Sequence, residues 1–230
     1  PYRINDVNVS TPGRICLFGE HQDYLGLPVI PAAISLRISI QARRRGDQQV
    51  EISLPDIGSH ESFSLQGPLP YRAERDYLRS AVNVLSRHGF TFTGGLECTV
   101  QGSIPINAGT SSSSALVVSW VHVLSQMSDQ ASQLPPEQLA RYAHETEVAE
   151  FGEPGGMMDH YSTAFGGVLF LQFQPQLTVE ILGADLKTFV LGDSREPKDT
   201  RAILAHTKNG VLDIVKQLSL LDPTFSLRGL

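Results

Sequence analysis

GSIPINAGTSSSSA, residues 102–115, is a run of small residues set between two segments of different periodicity. Before it, Leu96, Cys98 and Val100 alternate as a strand does. After it, residues 116–127 form an apolar helical segment. A small-residue loop that opens a helix presents backbone N–H groups without intrahelical partners, and the helix dipole adds roughly half a positive charge there. Gly109 lets the backbone come close to an anion. Ser111, Ser112, Ser113 and Ser114 supply hydroxyls for phosphate oxygens or a metal. Two readings are open from these residues alone: a phosphate-binding loop, or the serine cap of an ordinary helix. No Gly-Lys-Ser/Thr follows the glycine, so the run is not a Walker-type loop.

Upstream, Ile15 and Leu17 predict a short buried strand, followed at once by the charged cluster Gly19-Glu20-His21-Gln22-Asp23-Tyr24. That cluster reads either as the edge of a pocket or as a solvated turn. Leu36, Ile38, Ile40 and Ala42 alternate with polar residues, Gly46-Asp47 breaks the run, and Val50, Ile52 and Leu54 alternate again. This pattern predicts an antiparallel hairpin with one wet face. The cluster Arg43-Arg44-Arg45 falls at its solvated end. Residues 59–70 read as loop, and residues 75–88 as a helix with Leu78, Ala81, Val82 and Leu85 on one face, stopped by Gly89.

Downstream, Pro135-Pro136 and Glu137 mark the start of a helix running to about Phe151, with Glu145, Glu147 and Glu150 along it. Acids on such a helix ordinarily face solvent. Residues 152–160, GEPGGMMDH, form a second glycine-rich turn. Strands are predicted over residues 168–173, 178–182 and 188–191, and a last helix over 200–221. Strands and helices mix without steady βαβ alternation, which favours an α+β architecture.

The 230 residues are 41% hydrophobic and 18% charged, enough apolar material for a sizeable core. A net charge of −6 excludes the basic footprint of a nucleic-acid surface. No stretch has the length of a membrane span, and no signal peptide is visible. Cys16 and Cys98, each in an apolar alternating stretch, fit reduced, buried thiols of a cytoplasmic protein. The chain begins at Pro1, as a processed protein or a fragment would.

Three segments, PGRICLFGEHQDY (12–24), PINAGTSSSSA (105–115) and GEPGGMMD (152–159), in this order and spacing, resemble the galactokinase, homoserine kinase, mevalonate kinase and phosphomevalonate kinase (GHMP) superfamily. The first is most similar to the galactokinase signature, which Arg14, Leu17, Gly19, Glu20, His21, Asp23 and Tyr24 match. Cys16, Phe18 and Leu25 depart from it, as do Asn107, Thr110 and Ser114 from the usual phosphate loop. Residues 192–205, GDSREPKDTRAILA, look more like mevalonate kinase. The resemblance implies a two-domain fold. Residues 1–190 would be a ribosomal-protein-S5-domain-2-like N-terminal domain, and 191–230 only the start of a ferredoxin-like C-terminal domain, whose late glycine-rich motif is not in the sequence.

For the chemistry, the resemblance implies an ATP- and Mg²⁺-dependent kinase acting on a small molecule, most similar to a galactokinase phosphorylating a sugar at C1. Gly109, Ser111, Ser112 and Ser113 would wrap the phosphates. Ser113 and Glu147 would hold Mg²⁺, with Glu147 twelve residues before Asp159. Asp159 would be the base and Arg14 its electrostatic partner. Glu20, His21, Asp23 and Gly156 would bind the substrate, while Tyr24 packs the pocket floor and His160 is structural. The expected partners are a sugar and ATP, with neither nucleic acid nor membrane, in a cytoplasmic monomer or weak homo-oligomer. A mevalonate-kinase-like alcohol kinase and a non-catalytic sugar- and ATP-binding sensor are the alternatives.

Overall fold

In the computed structural model, which describes residues 5–106, 108–192 and 200–227, a mixed sheet carries helices packed against it. Strand β1 (Asp6–Phe18) lies antiparallel to the long β2 (Ile30–Arg44), from Asp6↔Arg43 to Phe18↔Ile30. The opposite edge of β2 is shared. Its C-terminal half pairs with β5 (Leu96–Gly102), and Ala32 pairs with Val168 of β6 (Val168–Gln172). β5 continues to β3 (Gln49–Leu54) and β4 (Ser59–Ser64), and β6 to β7 (Thr178–Leu182).

This order overturns the hairpin expected of residues 36–54. β2 and β3 are antiparallel in direction but do not touch, because β5 lies between them, antiparallel to β2 and parallel to β3. Alternation records which side of a strand is wet and is silent on which strand lies beside it. Gly95 sits at the neck of this crossing: its carbonyl accepts from Arg45 N at 2.8 Å and its N–H donates to Asp47 O. A Cβ there would run into the backbone of Gln49, whose nitrogen lies 2.7 Å away. The arginine cluster is only partly solvated, with Arg43 exposed and Arg44 and Arg45 half-buried. Arg43 pairs with Asp6 at 3.1 Å and Arg45 with Asp47 at 2.7 Å.

Other expectations also change. Residues 59–64 form a strand rather than a loop, paired along its whole length with β3. Only Phe63 of its six residues is buried, so the pattern carries little apolar signal. No strand forms over residues 188–191, where apolar residues stand exposed without a neighbouring edge. β1 is longer than expected, and Cys16 is half-buried while Cys98 is buried. Residues 193–199, the core of the mevalonate-kinase-like segment, lie outside the described residues, as does Asn107.

The core lies between the sheet and helices α1 (Tyr77–Arg87) and α2 (Ser112–Met127). Asp76 caps α1 by accepting from Arg79 N, and Arg79, itself buried, pairs with Asp76 at 3.0 Å. α2 is apolar nearly all round, as a helix enclosed on every side must be. Val118, Val121 and Leu124 are fully buried against Ile40, Val50, Ile52 and Leu96. Trp120 fills the gap to α1, its Nε1–H donating to Leu78 O at 3.0 Å. A smaller cluster of Val29, Ala140, Met158, Tyr161, Leu169 and Leu171 joins α3 (Pro136–His144) and α4 (Met158–Phe165) to β6. The last helix, α5, spans Thr200–Leu221 as expected. No described helix is long and apolar enough to cross a membrane.

Candidate functional site

A cavity of about 450 Å³ opens where the N-terminus of α2, the end of β1 and the N-terminus of α4 converge. All the singled-out residues line it: Arg14, Glu20, His21, Asp23, Gly109, Ser111, Ser112, Ser113, Glu147, Gly156 and Asp159. They come from segments up to 145 positions apart, and the fold alone brings them together.

Arg14 follows a register shift in the β1–β2 ladder between Pro12 and Arg14, the kind of irregularity that re-aims a side chain. Its guanidinium is buried and grips Asp159 Oδ1 through Nε at 2.7 Å and Nη2 at 2.6 Å. Nη1 donates to Gly109 O at 2.8 Å, and Nη2 lies 3.8 Å from Glu20 Oε1. The Arg14 backbone N–H donates to Thr110 O at 3.2 Å, so β1 and the loop before α2 are tied twice. Gly109 has φ of +74°, the left-handed turn that glycine adopts without strain.

The N-terminus of α2 turns polar groups toward the cavity. Ser111 is left-handed, with φ of +60°, and makes no side-chain capping bond, which removes the simple cap reading of the serine run. Among the described residues the buried Thr110 hydroxyl has no partner and is free to meet a ligand, while the Ser111 hydroxyl is turned to the Asp159 carboxylate and helps hold it ionised.

The carboxylates have different environments. Burial pushes the Asp159 carboxyl up, but the Arg14 guanidinium, with the neighbouring His160 and the hydrogen bonds from Ser111 and Arg14, outweighs it and holds it below the ordinary Asp range. Asp23 is pushed the other way, chiefly by burial and further by the Asp159 charge, although it accepts from Met158 N at 3.1 Å. Gly156 supports Asp23 directly. A Cβ there would fall inside the Asp23 carboxylate, with even the farther oxygen, Oδ1, at 2.7 Å. His21 reaches the cavity from a left-handed backbone, φ +63°, its ring 6.3 Å from that of Tyr24.

Glu147 reaches the cavity through a local change of helix type. The helix expected to run to Phe151 ends as α-helix at His144 and continues as a π turn, Glu145–Ala149. Glu145 and Glu150 face outward to Arg87, whereas Glu147 is buried and its Oε2 meets His160 Nε2 at 2.8 Å. Among the described residues no Lys or Arg pairs with it. A buried carboxylate with one imidazole partner among the described residues, lining the same cavity as the serines at the start of α2, offers oxygen donors of the kind a hard cation takes. No cluster of three or more His, Cys, Asp or Glu that could hold a metal occurs among the described residues.

Sequence reading missed the far wall of the cavity. Leu54, Ile57, Val100, Ile104 and Leu116 make it apolar, from the ends of β3 and β5 and the start of α2. Leu54, Val100 and Leu116 belong to ordinary strand and helix patterns, Ile57 and Ile104 lie in the turn after β3 and the loop after β5, and no local signal marks where these ends meet. Cys16, beside Glu20, is pushed up to about 12 by burial and that carboxylate.

The model of the GHMP kinases N terminal domain matches residues 76–167, and that of the galactokinase galactose-binding signature matches residues 2–44. A galactokinase of Pyrococcus furiosus is 30% identical over 174 residues, covering 74% of this chain and 48% of that protein. A mevalonate kinase of the same organism is 29% identical over 176 residues, covering 72% and 52%. Among solved structures, Lactococcus lactis galactokinase complexed with galactose superposes with a TM-score of 0.76 at 25% identity, over 94% of this chain and 57% of that one. The chain thus spans about half the length of the curated relatives it matches.

Proposed function

We propose, from the premise that this chain belongs to the GHMP kinases, that the protein transfers the γ-phosphoryl group of ATP to a hydroxyl of a small sugar, galactose or a close relative. The observation that carries the reading is the reach of Arg14. One buried guanidinium touches the loop before α2 at Gly109, the Asp159 carboxylate, and the edge of the Glu20–Asp23 cluster. Nucleotide phosphates and an acceptor hydroxyl on either side of it would meet at Asp159.

In the transfer, the acceptor oxygen forms a bond to the γ-phosphorus, the bond to the bridging oxygen breaks, and ADP leaves with that electron pair. The N–H groups at the start of α2, with Gly109, Ser111 and Ser112, take the phosphate charge at a helix N-terminus. The apolar wall of Leu54, Ile57, Val100 and Ile104 suits the flat face of the base. Glu20 and Asp23 accept hydrogen bonds from sugar hydroxyls, and a sugar lacking one of them leaves a buried acceptor unpaired. His21 and Gly156 complete this side, Gly156 by giving Asp23 its seat.

Asp159, held ionised, is a weak base in the ground state. Its contribution is to orient the acceptor hydroxyl and to take the proton as the new O–P bond makes that hydroxyl acidic. Ser113 and Glu147 would hold Mg²⁺. When bound, the ion neutralises charge on the β- and γ-phosphates.

The test is ADP release from ATP and Mg²⁺ with galactose, glucose, arabinose, galacturonate and mevalonate, for the protein and for Asp159→Asn. Sugar-dependent turnover that falls about 10²- to 10⁴-fold in the variant, with sugar affinity kept, supports the reading. Turnover on mevalonate alone moves the acceptor to the other relative's substrate. Saturable sugar binding without turnover on any acceptor overturns the kinase in favour of a sensor.

A further inference from the structure

We infer that His160 is a positioning residue: it holds the Glu147 carboxylate turned toward the serine hydroxyls at the start of α2. The inference rests on the reading of Glu147 as a Mg²⁺ ligand. Glu147 is buried, and among the described residues His160 is its one hydrogen-bond and ion-pair partner. The imidazole itself is 2% exposed. A buried carboxylate needs a donor to stay in one orientation, and an ionised carboxylate only accepts, so Nε2 carries the proton in this bond. The other nitrogen, Nδ1, is buried with no partner among the described residues. Among the described residues the ring therefore makes one hydrogen bond, and that bond is directed at Glu147.

Packing fixes the ring. His144 stands edge-on to it, with centroids 5.3 Å apart at 89°. Burial and the neighbouring His160 push His144 down to about 4, so it remains a neutral packing partner. The sequence position adds a further consequence. His160 follows Asp159 on the first turn of α4, so one helical turn orients two carboxylates: Arg14 grips the first, and His160 grips Glu147. Here the π turn brings the carboxylate to the cavity, and α4 sets its rotation. Partners of this kind, which bind a ligand rather than the metal, commonly change metal affinity by about 10- to 100-fold when removed.

The experiment measures the Mg²⁺ concentration that half-saturates ATP binding, by calorimetry without acceptor, in the protein, His160→Leu, His160→Gln and Glu147→Gln. The leucine variant is expected to raise it about 10- to 100-fold, with sugar affinity unchanged, and glutamine, which keeps an N–H donor, is expected to restore most of it. If Glu147→Gln raises the value and His160→Leu does not, the inference is overturned while the reading of Glu147 stands. If Glu147→Gln leaves it unchanged, that reading fails and takes the inference with it. Equal losses of Mg²⁺ response and sugar affinity in His160→Leu also overturn it, because they report general collapse. Should the leucine variant not fold, His160→Asn, too short to reach Glu147, replaces it under the same criteria.

Discussion

Replacing Gly156 by alanine tests the substrate side of the cavity with one methyl group. The new Cβ would occupy the volume of the Asp23 carboxylate, with Oδ1 at 2.7 Å and the rest of the group nearer still, whereas real Cβ contacts begin at 3.0 Å. Asp23 must therefore retreat by about 1 Å, because repulsion at such distances exceeds any gain from dispersion. In moving it gives up the hydrogen bond from Met158 N, now 3.1 Å. Gly156 has no positive φ, so alanine itself fits the backbone and the effect falls on Asp23. A misplacement of about 1 Å in a positioning group can lower a rate by about 100-fold, which corresponds to about 2.7 kcal/mol of lost transition-state stabilisation. The assay is the initial rate of ADP formation over a range of sugar concentrations, with ATP binding and thermal unfolding measured alongside. A kcat/KM for sugar within threefold of the parent, in a protein of unchanged melting temperature, would refute the claim that Gly156 seats Asp23.

Three other outcomes are expected. Arg14→Met removes the guanidinium that grips Asp159, leaving a largely buried charge without its ion pair. Stability at pH 7 should fall by about 2–3 kcal/mol in denaturant titrations, the lower end for broken buried pairs since Asp159 keeps some solvent contact. The carboxyls separate on the acid side. Because Asp23 is held above the ordinary range, it protonates first as pH falls, and sugar KM should rise while pH is still above about 4. Asp159, held below that range, adds stability above about pH 3.9 that is lost only as pH falls through its lowered native value. Asp23→Asn should abolish the KM limb in a pH–rate series. Trp120→Phe deletes the donor to Leu78 O in the core and should lower stability by about 1–3 kcal/mol with sugar and ATP affinities unchanged.

The site was more legible in the sequence than the sheet was. Residue types alone left the serine run and the Glu20–Asp23 cluster open to a cap and a solvated turn; the resemblance of three short segments singled out Arg14, Asp23, Ser111 and Asp159, and one cavity gathers them. α1 and the body of α2 also follow from local patterns, since a helix bonds to itself and its period is written in consecutive residues, although α2 begins at Ser112, inside the serine run rather than after it. The pairing of β2 with β5 could not be read in this way, because the partner lies some sixty positions away and either order satisfies the same alternation. β4 shows only Phe63 to the core, and its other residues read as loop. The π turn was invisible because its five residues, Glu145–Ala149, are of types that an α-helix accepts equally well.

The insertion of β5 between β2 and β3 also sets an order of events during synthesis. A nascent chain that has emerged as far as α1 holds β1, β2, β3 and β4, yet the β2 and β3 edges that β5 will join have no partner. The pieces stay two separate ribbons until residues 96–102 leave the ribosome and close the gap with bonds on both sides at once. Such a closure is non-local and slow, and unpaired strand edges recruit other chains while they wait. Truncations ending before residue 96 should therefore aggregate, and those extended through α2, which covers the closed sheet, should be the first to stay in solution.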